Sequence, residues 1–207
     1  METIIKNADK GSIELAGSVL RCGGIVAFPT DTVYGLGAVY TDEDAVRNIF
    51  LAKGRDEGKP LSILVSDISQ AELLAAEVPG KALRLMKAFW PGALTLIFRK
   101  RPEISDLITA GGDTIGIRMP DYKITTDIIR AAGSPLAAPS ANTSGKRSSV
   151  TAEDVSEDLA GRIDMIIDGG ACPVGISSTV VDMTGDEPVI LRQGTITEDM
   201  ISACLMN

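Results

Sequence analysis

Residues 24–37, GIVAFPTDTVYGLG, decide how this chain folds. The run at 24–28 is short, apolar and β-branched enough to be typical of a buried strand. Pro29 ends the run, because proline has no backbone N–H to donate to a sheet. A polar triplet at 30–32 and two glycines follow, and glycine permits a tight turn or the close approach of a ligand. The pattern fits a ligand-binding junction at a strand end, and it fits equally well a plain β-turn capped by Asp31.

The composition predicts one globular domain with a sizeable core. The chain has 207 residues, of which 44% are hydrophobic and 23% are charged. No apolar stretch approaches the ~20 residues of a membrane-spanning helix. Residues 2–6 lack the basic and then apolar layout of a signal peptide, so we expect a cytoplasmic protein without membrane contact.

Several kinds of chemistry are excluded by what the sequence lacks. The chain has no histidine, which rules out a Ser-His-Asp triad and any histidine-ligated metal. Its three cysteines show no Cys-x-x-Cys spacing, so no zinc site or other protein metal site is predicted. A net charge of -8 and an aromatic content of 4% argue against a general nucleic-acid binder.

Predicted strands and helices mix along the chain without a repeat or a linker. We therefore predict an α/β fold, with a single domain built on a twisted mixed sheet flanked by helices and a ligand cleft at strand ends. Simple βαβ alternation fails around residues 91–118. The domain is predicted to span 9–194, and residues 195–207 are predicted to form a C-terminal helix packed on it.

Two further polar clusters and one arginine stand out. KGRDEGKP at 53–60 suits either phosphate binding or a solvated helix end. PSANTSGKRSS at 139–149 follows a short buried strand, where α/β proteins place ligands, and a flexible linker is the alternative. Arg118 lies inside an apolar strand and needs an anionic partner. That partner is either a structural aspartate or a bound substrate.

The sequence PTDTVYGLG at 29–37, together with AKGR at 52–55 and PSAN at 139–142, resembles the threonylcarbamoyl-AMP synthase family of YrdC-like proteins. The resemblance runs from about residue 13 to residue 192. It implies a YrdC-like fold and a nucleotidyltransferase that forms threonylcarbamoyl-AMP and pyrophosphate from L-threonine, bicarbonate and ATP. The product would serve threonylcarbamoyladenosine formation on tRNA. The chain stops soon after Arg192, as the single-domain members do.

The resemblance also implies a set of site residues. The catalytic residues are Lys53 and Arg55. L-Threonine is bound by Thr32, Arg118, Ala138 and Ser178. ATP is bound by Arg55, Lys59, Thr114, Ser140, Asn142, Ser148 and Arg192. A Mg²⁺ held mainly through the ATP phosphates is the implied cofactor, since such an ion needs few protein ligands. tRNA or tRNA-modifying proteins are the implied macromolecular partners.

Two other functions compete with this one. The loops at 53–59, 99–101 and 146–147 could form a basic cleft, which would make the protein a structured-RNA-binding module without turnover. A related carbamoyl-transfer enzyme with a different acceptor is the other alternative. If ATP is the substrate, the glycine- and serine-containing loops at 53–60 and 143–149 are candidates for closure over it.

Overall fold

The computed structural model describes residues 2–206, whose strands and helices follow one another irregularly. The strands are β1 (Ile4–Asn7), β2 (Val26–Phe28), β3 (Gly35–Val39), β4 (Ser62–Leu64), β5 (Leu94–Arg99), β6 (Thr114–Arg118), β7 (Leu136–Ala137), β8 (Met165–Asp168), β9 (Thr179–Asp182) and β10 (Val189–Arg192). The helices are α1 (Lys10–Arg21), α2 (Glu43–Lys53), α3 (Ile68–Leu74), α4 (Gly80–Phe89), α5 (Asp106–Thr109), α6 (Lys123–Ala132), α7 (Ala152–Leu159) and α8 (Glu198–Met206).

Within residues 2–206 the strands join into one mixed sheet, in the order β1-β8-β2-β3-β7-β4-β6-β5-β9-β10. β2 pairs with β8 in parallel and with β3 antiparallel. β6 lies between a parallel β4 and an antiparallel β5. These pairings confirm the predicted α/β domain with a mixed sheet, and they confirm that βαβ alternation breaks down between residues 91 and 118.

Helix α2 brings Lys53 to the region of the predicted site. The helix begins after Asp42, whose carboxylate accepts the N–H of Ala45 at 3.0 Å. The spacing of Thr41 and Asp44 predicts a helix cap at Thr41. This prediction is wrong by one residue, because the Asp42 carboxylate supplies both the hydrogen bond and the negative charge that a helix N-terminus favours. At the other end Gly54 adopts a φ of 57°, which ends the helix directly after Lys53.

Apolar side chains pack against both faces of the sheet, as the alternation along β2 requires. Ala27 belongs to a cluster on one face, and Val26 and Phe28 belong to a cluster on the other. The fit around Phe28 is close, since a Cβ added at Gly37 would lie 2.6 Å from its ring. Only glycine fits there, and this packing holds β3 against β2 and sets the path of the polar loop at 29–34 between them.

One part of the sheet keeps a partly open face. Ser62 of β4 is paired in register with Gly116 of β6, which is paired with Ile97 of β5, and all three are half-buried. Gly116 adds no side chain to this row. Thr114 lies on the same face because side chains two apart in a strand point the same way. A shallow floor therefore runs along β6 from Arg118 toward Thr114.

The C-terminal helix α8 packs against α4. Helix α8 lies within the predicted helix at 195–207 but begins three residues later, at Glu198. Asn207 lies outside the described residues, and the domain limit at 194 stays a prediction. Among residues 2–206, no helix has both the length and the apolar character needed to cross a membrane.

Candidate active site

A cavity of about 190 Å³ lies where the polar loop after β2 meets β4, β6 and the residues that precede β9. It is smaller than the roughly 300–1,000 Å³ of pockets that hold drug-sized ligands. Ser62 lines the cavity and also belongs to the open face of the sheet, so the cavity continues onto the floor along β6. The arrangement suits a small polar ligand in the cavity and a longer ligand across the floor.

Many of the predicted site residues come together at this cavity. Those that line it are Thr32, Arg55, Arg118, Ala138, Ser140, Ser178 and Arg192. They originate from six separate stretches of the chain, and the sheet order is what brings them together.

The remaining predicted residues lie outside the cavity lining, each for a specific reason. Lys53 is buried behind the lining and is 1% exposed. Thr114 lies at the opposite end of β6, on the open floor. Ser148 lines a neighbouring cavity. The Asn142 amide donates to the carbonyls of its own loop, at Thr143 and Lys146. Lys59 is exposed in the loop that follows α2.

Arg118 is held by three groups of the chain. Its Nε donates to the Gly92 carbonyl at 3.0 Å and one terminal nitrogen donates to Thr32 Oγ1 at 2.8 Å, while the other donates to the Asp31 carboxylate. Of the two partners that the sequence allowed for Arg118, the structure therefore shows the structural aspartate, Asp31. Burial lowers the pKa of Arg118 and the adjacent Asp31 acts against that shift, so the pair holds a cation inside the cavity lining.

Lys53 binds the loop that follows β7 from behind. Its ammonium donates to the backbone carbonyls of Ser140 and Asn142, the second at 2.6 Å. The Lys53 carbonyl in turn accepts the N–H of Ser144 at 2.8 Å. Burial, and then the nearby Arg55, lower the pKa of Lys53 to about 7. The sequence left open whether the loop at 53–60 binds phosphates or is a solvated helix end, and in the structure the Lys53 ammonium is buried and holds the loop that carries Ser140.

Arg55 is the cation that α2 and its following loop bring to the cavity. It is half-buried, and burial lowers the pKa of its guanidinium. Its Nε donates to the Lys59 carbonyl at 3.4 Å and a terminal nitrogen donates to the Pro60 carbonyl at 3.0 Å. These bonds fold the loop at 53–60 around the side chain and set its direction toward the cavity.

Ser178 is fixed by two neighbours on the far side of the cavity. Its hydroxyl lies 2.8 Å from Thr95 Oγ1 and accepts an N–H of Arg192 at 3.1 Å. The Arg192 Nε also donates to the Ser178 carbonyl at 3.0 Å. Thr95 lines the cavity and was missed, and the available signal was a hydroxyl within the apolar run at 94–98.

The polar loop after β2 contributes more residues to the cavity lining than the sequence predicted. Thr30 and Tyr34 line the cavity beside Thr32, although only Thr32 was given a role. Asp31 was noted as a turn cap, and the structure uses it instead to hold Arg118. Tyr34 donates its hydroxyl to the Gly170 carbonyl at 2.8 Å, which fixes the loop after β8 against the cavity.

Three of the cations proposed for an RNA-binding cleft form ion pairs within the chain. Arg99 pairs with Asp113, and Lys146 pairs with Asp158 at 2.6 Å. Lys100 pairs with Asp106 in the same way. These ion pairs reduce the uncompensated positive charge of the loops at 99–101 and 146–147, in which Arg101 donates to backbone carbonyls and Arg147 is exposed.

The described part of the chain gives no support for a metal ion held by side chains alone. Residues 2–206 contain no group of three or more His, Cys, Asp or Glu side chains that could hold a metal ion. The cavity itself offers hydroxyls and cations. This chemistry suits anionic ligands such as carboxylate and phosphate.

Comparison with known proteins gives the family. A sequence model of the Sua5/YciO/YrdC family, described as "Telomere recombination", matches residues 18–194. The threonylcarbamoyl-AMP synthase of Bacillus subtilis (strain 168) is 50% identical over 194 residues, which cover 93% of this chain and 56% of that protein. The chain spans just over half the length of three curated relatives named threonylcarbamoyl-AMP synthase, between 53% and 58%.

Solved structures agree with the sequence comparison. The crystal structure of Pyrococcus abyssi Sua5 complexed with L-threonine matches with a TM-score of 0.94 at 44% identity, covering 99% of this chain and 60% of that one. Escherichia coli YciO matches with a TM-score of 0.82 at 29% identity, covering 94% and 95% of the two chains. The resemblance seen in the three sequence motifs is therefore confirmed, and the chain belongs to the Sua5/YciO/YrdC family.

Proposed function

We propose that the chain is an L-threonylcarbamoyladenylate synthase, a nucleotidyltransferase that forms threonylcarbamoyl-AMP and pyrophosphate from L-threonine, bicarbonate and ATP. The observation that carries the proposal is a small cavity lined by Arg118 and hydroxyls, which continues onto an open floor of the sheet. Relatives named threonylcarbamoyl-AMP synthase and a related Sua5 structure complexed with L-threonine support it.

In this proposal the cavity holds L-threonine. Arg118 has five N–H groups and the chain occupies three of them, which leaves two for the amino-acid carboxylate. Thr32, Ala138 and Ser178 complete the site, and all three line the cavity. The volume of about 190 Å³ suits an amino acid better than a nucleotide.

ATP then lies along the floor, with its phosphates at the mouth of the cavity. Arg55, Ser140 and Arg192 line the cavity and would face the α-phosphate. Thr114 lies farther along the floor, in line with the adenosine end of the nucleotide. Lys59, Asn142 and Ser148 belong to the two loops that border the cavity, and their contacts with ATP would require those loops to close.

The proposed chemistry needs no histidine. The amine of threonine attacks the carbon of bicarbonate, water leaves, and a carbamate forms. A carbamate oxygen then attacks the α-phosphorus of ATP, the bond to the bridging oxygen breaks, and pyrophosphate leaves. Such a displacement depends on positioning and charge neutralisation. Arg55 would neutralise charge at the phosphate, and Lys53 would position the loop of Ser140.

A magnesium ion fits this site as a companion of ATP. The described residues offer no side-chain cluster for a metal, so the ion would be held by the ATP phosphates and would neutralise part of their charge. We further propose that the product is consumed by tRNA-modifying proteins in the cytoplasm, with tRNA as the final acceptor.

The proposal is tested by isolating the product. The protein is incubated with ATP, L-threonine and ¹³C-bicarbonate, and the quenched mixture is analysed by mass spectrometry. We expect an adenylate that carries both threonine and one ¹³C atom. ATP hydrolysis without such an adenylate would contradict the proposal, and an adenylate carrying a different amino acid would favour the related enzyme with another acceptor.

A further inference from the structure

Strand β1 forms a free edge of the sheet. It pairs in parallel with β8, and among residues 2–206 no strand lies on its other side. Its two isoleucines are exposed, Ile4 at 43% and Ile5 at 49%. An edge strand that combines exposed apolar side chains with unpaired main-chain groups is a template for pairing with another chain.

The bonds of β1 to β8 determine which main-chain groups face the free edge. The N–H of Ile4 donates to the Asp164 carbonyl at 2.9 Å. Because alternate residues of a parallel strand bond to the same neighbour, Thr3 and Ile5 direct their N–H and C=O groups away from β8. The Thr3 hydroxyl donates to the Ile163 carbonyl at 2.6 Å, which holds this end of the strand in place.

The opposite edge of the sheet is built differently. Strand β10 carries a register shift between Ile190 and Arg192, and Pro188 directly precedes it. Register irregularities and prolines are features by which edge strands avoid pairing with other chains. Strand β1 contains no proline and is in continuous register with β8, so its edge remains suited to pairing.

The sequence of β1 is complementary to itself when two copies run antiparallel. With Thr3 of each copy opposite Ile5 of the other, the groups at the two free edges exchange N–H···O bonds. Ile4 then packs against Ile4 of the second copy, on the twofold axis. On the same face, Glu2 of each copy lies opposite Lys6 of the other. A shift of two residues toward the C-terminus would instead place Lys6 against Ile4.

The two charges cannot satisfy each other within one copy. Glu2 and Lys6 are both exposed. Four residues of extended chain separate their Cα atoms by about 13 Å, which is too far for an ion pair. A second copy in the register described above supplies each of them with an opposite charge.

We propose that the free edge of β1 binds β1 of a second copy of this chain in antiparallel register, which extends the strand to residue 2 and joins the two sheets in a twofold dimer. The proposal does not depend on the proposed function. The contact is confined to one short strand from each copy, so the dimer should form reversibly.

The first test is analytical ultracentrifugation of the wild-type protein from about 1 µM to about 1 mM, the range in which a weak dimer dissociates. We expect a reversible dimer. Lys6→Glu places like charges opposite each other twice and should raise the dimer Kd by at least about tenfold. Lys87→Glu, at an exposed lysine on α4, is the matched control and should leave it unchanged. A wild-type protein that stays monomeric, or a dimer unaffected by Lys6→Glu, would overturn the proposal.

The second test examines the register itself. Glu2→Lys and Lys6→Glu should each weaken self-association, because each variant carries two like charges on this face. In a mixture of the two, every lysine lies opposite a glutamate, so a heterodimer with close to wild-type affinity should form. Circular dichroism checks that both variants are folded. Failure of the folded variants to form this heterodimer would overturn the proposed pairing.

Discussion

The ammonium of Lys53 lies 2.6 Å from the backbone carbonyl oxygen of Asn142, behind the loop that lines the cavity. The two residues belong to the KGR and SAN motifs, so the motifs are joined by a structural bond. This relation makes Lys53 a positioning residue for Ser140, while Arg55, two residues later, reaches the cavity itself.

Replacing Lys53 with methionine should loosen the loop at 139–149. Two buried carbonyls lose their donor, which we expect to lower the free energy of unfolding by about 1–3 kcal/mol. KM for ATP should rise more than KM for threonine, because the loop lies on the nucleotide side. Urea denaturation and steady-state kinetics measure both. Lys87→Met, at an exposed lysine on α4, is the control, and equal effects of the two changes would contradict this role.

The low pKa of Lys53 predicts a pH dependence of stability. The folded protein releases this proton near pH 7, whereas the unfolded chain keeps it to about 10.5. The unfolded state thus binds more protons between these values, so the free energy of unfolding should increase from pH 7 to pH 8.5. Urea midpoints measure the slope, and subtracting the slope of Lys53→Met isolates the lysine. Identical slopes in the two proteins would refute the assignment.

Replacing Asp31 with asparagine should remove the charge that balances Arg118. Breaking a buried ion pair at one partner costs about 3–5 kcal/mol. The pair is 8% and 12% exposed at its side chains, so thermal unfolding should show a loss of this order. The exposed pair of Arg99 and Asp113 offers the control, since Asp113→Asn should cost no more than about 1 kcal/mol. Comparable losses would contradict the account of Arg118.

Replacing Arg55 with alanine should slow turnover while leaving the fold intact. Its guanidinium is half-buried and lines the cavity, so removing it should lower kcat/KM for ATP by about 10²-fold, as for other preorganised donors. Arg101→Ala is a suitable control, because Arg101 donates to the carbonyls of Ala75 and Glu72, away from the cavity. Near-normal turnover of a folded Arg55→Ala protein would remove Arg55 from the proposed mechanism.

The parts of the fold that the sequence predicted depend on local signals. Short apolar runs predict strands at 94–99 and 189–192, and β5 and β10 have these bounds in the structure. The sequence at 151–154 likewise predicts a capped helix start, and Thr151 and Asp154 form a capping box at the start of α7. Helix α5 has four residues and no apolar period to reveal it, so it was missed. The sheet order was not predicted either, because it depends on pairings between distant strands.

In the candidate site too, features with a local sequence signal were predicted, and features that depend on contacts between distant residues were not. Motifs correctly marked the loops that carry Thr32, Arg55 and Ser140, since glycine, proline and hydroxyls cluster there. The direction of each side chain could not be read from the sequence. Asp31 and Arg118 are 87 residues apart, and their contact exists only because the polar loop after β2 lies over the end of β6. The burial of Lys53 depends in the same way on a loop 87 residues away.

The most direct test of the account is pyrophosphate release from ATP, with L-threonine and bicarbonate each present or omitted. The account predicts release only when both are present, and release that is about 10²-fold less efficient in Arg55→Ala. Release without threonine or without bicarbonate would contradict the proposed reaction. No release under any combination, accompanied by salt-sensitive binding of structured RNA, would favour the RNA-binding alternative instead.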